Sequence, residues 1–225
     1  MAGRQTPLVT GECYHVFNRG VAKQPTFLTL QDYERAMLTL EYYRFAKPPL
    51  KLSKYKEFSR EDRSRITEEL NIANNCLVDI LSFVLMPNHF HFLLKQNLDG
   101  GVSKYISQFT NSYTRYYNTR NNRVGPMFQG AFKAVQVESG EQLIHLSRYI
   151  HLNPYVSSIV SKPELDKYLW SSLPAYLGIQ DSFVDKQPVL SLFSGKFNYR
   201  DFVFDHSDYA RELERVKHLI IDIED

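Results

Sequence analysis

Leu77–Lys95 reads LVDILSFVLMPNHFHFLLK. Two apolar runs rich in β-formers flank Pro87-Asn88, a turn-forming pair, so the stretch predicts a β-hairpin. On its second strand successive side chains alternate, which puts His89 and His91 on one face and Phe90 and Phe92 on the other. Residues two apart on a strand lie about 7 Å apart at Cα, close enough for two imidazoles to converge on one ion while the phenylalanines bury against helices. An isolated His-x-His is common, and structural histidines outnumber ligands, so this spacing leaves metal binding and simple packing both open. Two imidazoles suit zinc, manganese or iron. Magnesium prefers oxygen donors, so a Mg²⁺ site would require a third, oxygen-bearing ligand. Asn88 belongs to the turn.

Outward from the hairpin, the periodicities alternate between 2 and 3.6. Glu12–Asn18 (ECYHVFN) has strand composition and ends at the turn Arg19-Gly20. Leu30, Tyr33, Met37, Leu40 and Tyr43 recur at helical spacing over 29–45, and Pro48-Pro49 close that helix. After the hairpin, 102–119 reads as a helix on Tyr105, Phe109, Tyr113 and Tyr116. Residues 131–138 alternate as a strand, and 142–151 reads as a helix that stops before Asn153-Pro154. The order β-α-β-β-α-β predicts an α+β chain with a ferredoxin-like core, an antiparallel sheet backed by helices. Lys51–Glu69, dense in alternating charge, reads as an exposed insertion with a short helix, within bounds of about 48–75. The main domain is expected over 1–178. A C-terminal helical extension follows over 179–225, with its own helical pattern at 208–221.

Composition narrows the function classes. The chain has 225 residues, enough for one sizeable core, with 43% apolar and 23% charged residues. Fifteen Tyr, fifteen Phe and one Trp are an aromatic surplus that fills a core and, where exposed, can stack on unpaired bases. The net charge of only +2 excludes binding nucleic acid by bulk charge and shifts that task to local patches. Cys13 and Cys76 have no metal spacing. No apolar run approaches the roughly 20 residues of a membrane span, and residues 1–10 lack a leader pattern, so a cytoplasmic protein with no membrane partner is expected.

Two further groups carry chemistry. A phenol, with a pKa of about 10, becomes a useful nucleophile toward a phosphodiester when the phosphate is polarised and held in line. The predicted helix at 102–119 offers Tyr113, Tyr116 and Tyr117, but an aromatic stripe is as readily core, and spacing does not choose among them. Arg115, Arg120 and Arg123, with Gln129 and Lys133 beyond and Arg19 in the first turn, are candidates for phosphate contact, or for an ordinary solvated surface.

Taken together, MPNHFHFLL, YHVFNRG (14–20), DYER (32–35), YTRYYN (113–118), GPMFQG (125–130), RYIHLNP (148–154) and WSS (170–172) resemble the REP-associated tyrosine transposases. These are relatives of the insertion-sequence 200 type, named for a His-hydrophobic-His strand. The likeness runs over about 11–178 and more weakly over FVFDHSDY (202–209). It implies a metal-dependent DNA transposase that cleaves and rejoins hairpin-containing single-stranded DNA through a 5′-phosphotyrosine. Tyr113 would be the nucleophile, His89 and His91 the ligands of a divalent ion (Mg²⁺ or Mn²⁺), and Asn118 or His15 the third ligand. Relatives carry a glutamine one turn after the tyrosine, where this chain has Tyr117. They carry Arg where this chain has Ala131. Simpler relatives act as dimers and extended ones as monomers, so monomer and homodimer both stay open. The alternative is a non-catalytic, domesticated DNA-binding protein that recognises palindromic repeats. An RNA-binding module would need exposed rings on the sheet face that carries the histidines, and a zinc hydrolase would need a further ligand at metal spacing.

Overall fold

The expected hairpin is present in the computed structural model, which describes residues 7–73, 75–193, 198–205 and 207. In chain order the elements begin with β1 (Cys13–Arg19), α1 (Leu30–Tyr43), α2 (Leu52–Tyr55) and α3 (Arg60–Ile72). The hairpin strands β2 (Val78–Met86) and β3 (His89–Gln96) follow, then α4 (Gly101–Arg120), β4 (Lys133–Val137) and α5 (Gly140–Val156). Three short helices complete the described chain: α6 (Leu173–Tyr176), α7 (Gln187–Leu190) and α8 (Tyr199–Phe204). The four strands form one antiparallel sheet in the order β2-β3-β1-β4. The α+β, ferredoxin-like expectation is therefore met.

Alternation along β1 and β3 decides what lies on each face. Tyr14 and Val16 of β1, with Phe90 and Phe92 of β3, point into a fully buried aromatic core, where both phenylalanines meet Phe109 of α4 edge-on. Helices α1 and α4 cover that face and lock to each other through Asp32. This residue closes the capping box of α1 with Thr29 and also accepts from Tyr116 Oη at 3.2 Å and Arg120 Nη1 at 2.9 Å on α4. The opposite face carries His15, Phe17, His89 and His91, and α5 packs across it.

Helix α5 runs further than its sequence predicts. It continues through Pro154 to Val156, because a proline in the last turn costs only one backbone bond there. Its inner side is held by a polar knot around the fully buried His151. Nδ1 lies 2.6 Å from Tyr199 Oη and Nε2 lies 2.7 Å from Ser172 Oγ, while Tyr199 also donates to Ser147 Oγ at 2.9 Å. Burial lowers the His151 pKa to about 3, so the ring is neutral. Ser172 in turn accepts from Phe83 N on β2 at 2.9 Å. The knot thus ties the sheet, α5 and the C-terminal segment together. Exchange of His151 for Phe strands two buried hydroxyls, and a loss of about 2–4 kcal/mol in urea unfolding is expected.

Two boundary expectations change. The described residues beyond 178 pack on the main domain, since Val184, Val189, Tyr199, Phe202 and Val203 belong to the same core. The helical pattern at 208–221 lies outside the described residues. The insertion holds two helices rather than one: α3 buries no residue, while Leu52 and Tyr55 of α2 anchor against Tyr42.

Candidate active site

At the open end of the histidine face lies a cavity of about 450 Å³, lined by residues from β1, β3, α5 and the segment before β4. Phe17 and Arg19 come from β1, His89 and His91 from β3, Gln129, Ala131 and Lys133 from the β4 side, and Tyr149, Asn153 and Ser157 from α5 and its end. Antiparallel register creates the grouping: Phe17 pairs with His91 and Arg19 with His89, so the two strands present alternate side chains to one spot.

The histidine rings sit with centroids 5.0 Å apart. His89 Nδ1 lies 2.6 Å from Asn88 Oδ1, and His91 Nδ1 lies 2.9 Å from His15 Nε2. Each ring is oriented through Nδ1: His89 donates there to the amide oxygen, which leaves its Nε2 lone pair free, and His91 has the same free Nε2 lone pair when it is the donor to His15. Neighbours that fix the tautomer in this way are the usual companions of ligating histidines. Asn88, read from sequence as a turn residue only, has this second task. Burial lowers the pKa of His89 to about 4, with the Arg19 charge adding to the effect, and lowers that of His15 to about 4. Burial also pushes His91 well down, reinforced by His89, His15 and Arg19. Neutral imidazoles keep their lone pairs for coordination near neutral pH.

Tyr149 completes the group. Its ring centroid lies 5.5 Å from that of His91 and 6.0 Å from that of His15, and the residue is 48% exposed. One helical turn on, Asn153 lines the same cavity as His89, and its side chain opposes the lowering of the His89 pKa. A tyrosine and an amide at i and i+4 share one helix face, and here that face looks onto the imidazoles. Among the described residues no three His, Cys, Asp or Glu side chains form a metal cluster. Two imidazoles plus an amide oxygen is a donor set that lies outside those types and fits a divalent ion.

Several sequence expectations require correction. Tyr113 is 0% exposed, on the far side of the sheet from the histidines. Its hydroxyl donates to Thr26 O at 2.6 Å, its ring packs on Phe27, and burial drives its pKa far up. Asn118 does not approach the histidines either. It donates to Gly125 O at 2.8 Å and accepts from Arg123 at 3.0 Å, shaping the loop after α4. His15 reaches the site, where its Nε2 is engaged by His91 Nδ1. Of the cationic candidates, Arg19 and Lys133, with Gln129, line the cavity. Arg120 is committed to Asp32 and Arg123 to the loop carbonyls of Gly125 and Pro126, while Arg115 is exposed on α4, behind the other face.

With this geometry in place, comparison with known proteins identifies the relatives. Residues 52–153 match the family model described as "Transposase IS200 like". The matched part, a little under half of the chain, is similar to the IS200-like transposases. It includes both hairpin histidines, Tyr149 and Asn153, and leaves β1 with His15 and Arg19 outside the match. A solved structure of the REP-associated tyrosine transposase bound to a REP hairpin matches this chain over 82% of its length and 94% of the other's. The TM-score is 0.54 and the identity 14%, a likeness of fold. No curated protein matches. No helix among the described residues is long and apolar enough to cross a membrane.

Proposed function

We propose that the protein cuts and rejoins single-stranded DNA that carries hairpins, with Tyr149 in place of Tyr113 as nucleophile. His89, His91 and the amide oxygen of Asn153 would hold a divalent ion, Mg²⁺ or Mn²⁺. The reading is carried by the half-exposed phenol standing beside the His91 ring, in a cavity that His89 also lines and that Arg19 and Lys133 flank. The hairpin preference follows the relative of similar fold, which is bound to such DNA.

In the proposed reaction Tyr149 Oη forms a bond to the scissile phosphorus and loses its proton to solvent. The bond from phosphorus to the 3′-oxygen breaks, and that oxygen leaves as a hydroxyl after taking a proton from water. The 5′ end remains as a phosphotyrosine ester, and attack by another 3′-hydroxyl reverses the step. One phosphodiester replaces another, so no external energy source is required. The chemistry a bound ion supplies is withdrawal of charge from a non-bridging phosphate oxygen. Arg19 and Lys133 neutralise adjoining phosphates, Gln129 offers an amide, and the His15 and Asn88 contacts hold the imidazoles in place.

The direct test is incubation with Mn²⁺ and a hairpin-bearing oligonucleotide, followed by denaturing electrophoresis and peptide mapping. A covalent adduct on Tyr149 is expected; its absence, or an adduct on Tyr113, overturns the assignment. A second measurement concerns the cations. Arg19→Ala and Lys133→Ala should each flatten the plot of log affinity against log salt by about 0.7 for every single-strand phosphate that is no longer neutralised. Arg120→Ala and Arg123→Ala should leave that slope unchanged, because their guanidinium groups already serve the fold.

A further inference from the structure

The sheet has a built-in opening beside the histidine cavity. Pairing of β1 with β4 extends from Cys13↔Val137 to Phe17↔Lys133. Beyond it remain the isolated bridge Gly20↔Phe128 and the bond from Gln129 N to Arg19 O, 2.8 Å. Residues 130–132 therefore arch out opposite Asn18, with Gly130 at φ 44°, a conformation that glycine adopts freely. On the α4 side of the arch lies a second cavity, of about 290 Å³. Asn18 and Ala131 line both cavities, so the two adjoin at the arch.

The chemistry of the two spaces differs. Arg19 and Lys133 flank the first, whereas no charged side chain lines the second. Ser107, Thr110, Asn111 and Thr114 of α4 face Met127 and Phe128 across it. Small neutral donors and acceptors over an aromatic floor suit an uncharged planar ring and offer nothing to a phosphate. Asn18, only 8% exposed, accepts from Arg19 N through Oδ1, which leaves its NH₂ group available where the cavities meet. Ala131, a small side chain at the same junction, keeps the way between them clear.

We propose that this second cavity receives one unpaired nucleobase of the strand whose phosphate lies at Tyr149. The backbone stays on the cationic side of the arch and the base turns into the neutral side. The proposal rests on the transposase reading, so its test is made independent of cutting. The full-length Tyr149→Phe protein, in EDTA, is titrated with hairpin-bearing oligonucleotides in which each unpaired position in turn is abasic, with fluorescence anisotropy as readout. Abasic substitution at one position should weaken binding about tenfold. Ser107→Trp and Asn111→Trp fill the cavity from exposed positions on α4. Each should weaken binding of the intact strand by a similar factor and abolish the sensitivity to that abasic position. Uniform binding across the abasic series, or tryptophan variants that bind the intact strand normally, would overturn the subsite while leaving the transposase reading intact. Loss of all hairpin binding by the Tyr149→Phe protein would sink that reading, and the subsite with it.

Discussion

Tyr149→Phe is expected to lower strand cleavage by at least about 10⁴-fold, while Tyr113→Phe cleaves at the unaltered rate. The contrast follows from which face of the sheet each ring occupies. Phenylalanine at 149 keeps the ring against His91 and His15 and removes only the oxygen that would bond to phosphorus. The site is half exposed, so folding stability should change by no more than about 0.5 kcal/mol. At 113 the hydroxyl serves a buried carbonyl, that of Thr26, and its removal should cost about 1 kcal/mol of stability with no effect on chemistry. Single-turnover cleavage and urea unfolding on both proteins separate the two roles. A folded Tyr113→Phe protein unable to cut would refute the assignment of faces.

His91→Ala should reduce Mn²⁺ affinity by more than about 100-fold, and His89→Ala likewise, since each removes a ligand whose supporting partners alone are worth 10- to 100-fold. Calorimetric titration of Mn²⁺ into the DNA-free protein reads this without reference to activity. His15→Ala should fall in the smaller range, because it frees the His91 ring to turn without deleting a donor atom. If His15→Ala matched His91→Ala, then His15 would be a ligand and the 2.9 Å contact between their nitrogens would rearrange on binding. If neither hairpin histidine affected titration, the metal assignment would fail.

Much of this architecture is legible in the sequence, and the exceptions have physical causes. Period-2 alternation in Leu77–Lys95 separates His89 and His91 from Phe90 and Phe92, and the structure keeps that separation. The stripe Tyr105, Phe109, Tyr113 is a genuine helix face, but it is the face that α4 turns toward the core, so its tyrosines are packing residues. The motif YTRYYN opens on a tyrosine and so draws the nucleophile to position 113. The signal for the proposed site lies in RYIHLNP, where Tyr149 is followed one turn later by Asn153, the phenol-then-amide spacing that the family resemblance implies. Reading Asn153-Pro154 as a helix stop hides it, because a helix ending earlier would not present both side chains to one side. The role of His15 is only partly visible in one dimension, since no local pattern reveals that β1 lies beside β3 in the sheet. Arg120 and Arg123 look like free cations in the sequence and prove to be ties between α4 and its surroundings.

The burial of Tyr199 against His151 bears on how small a working piece of this protein can be. A recombinant fragment stopped at residue 178, where the sequence likeness fades, would bare Tyr176 and deprive the His151 ring of its hydroxyl neighbour. The same ring sits two residues from Tyr149, so such trimming would loosen the helix that carries the proposed nucleophile. Attempts to shorten the protein should therefore retain the chain through at least Phe204.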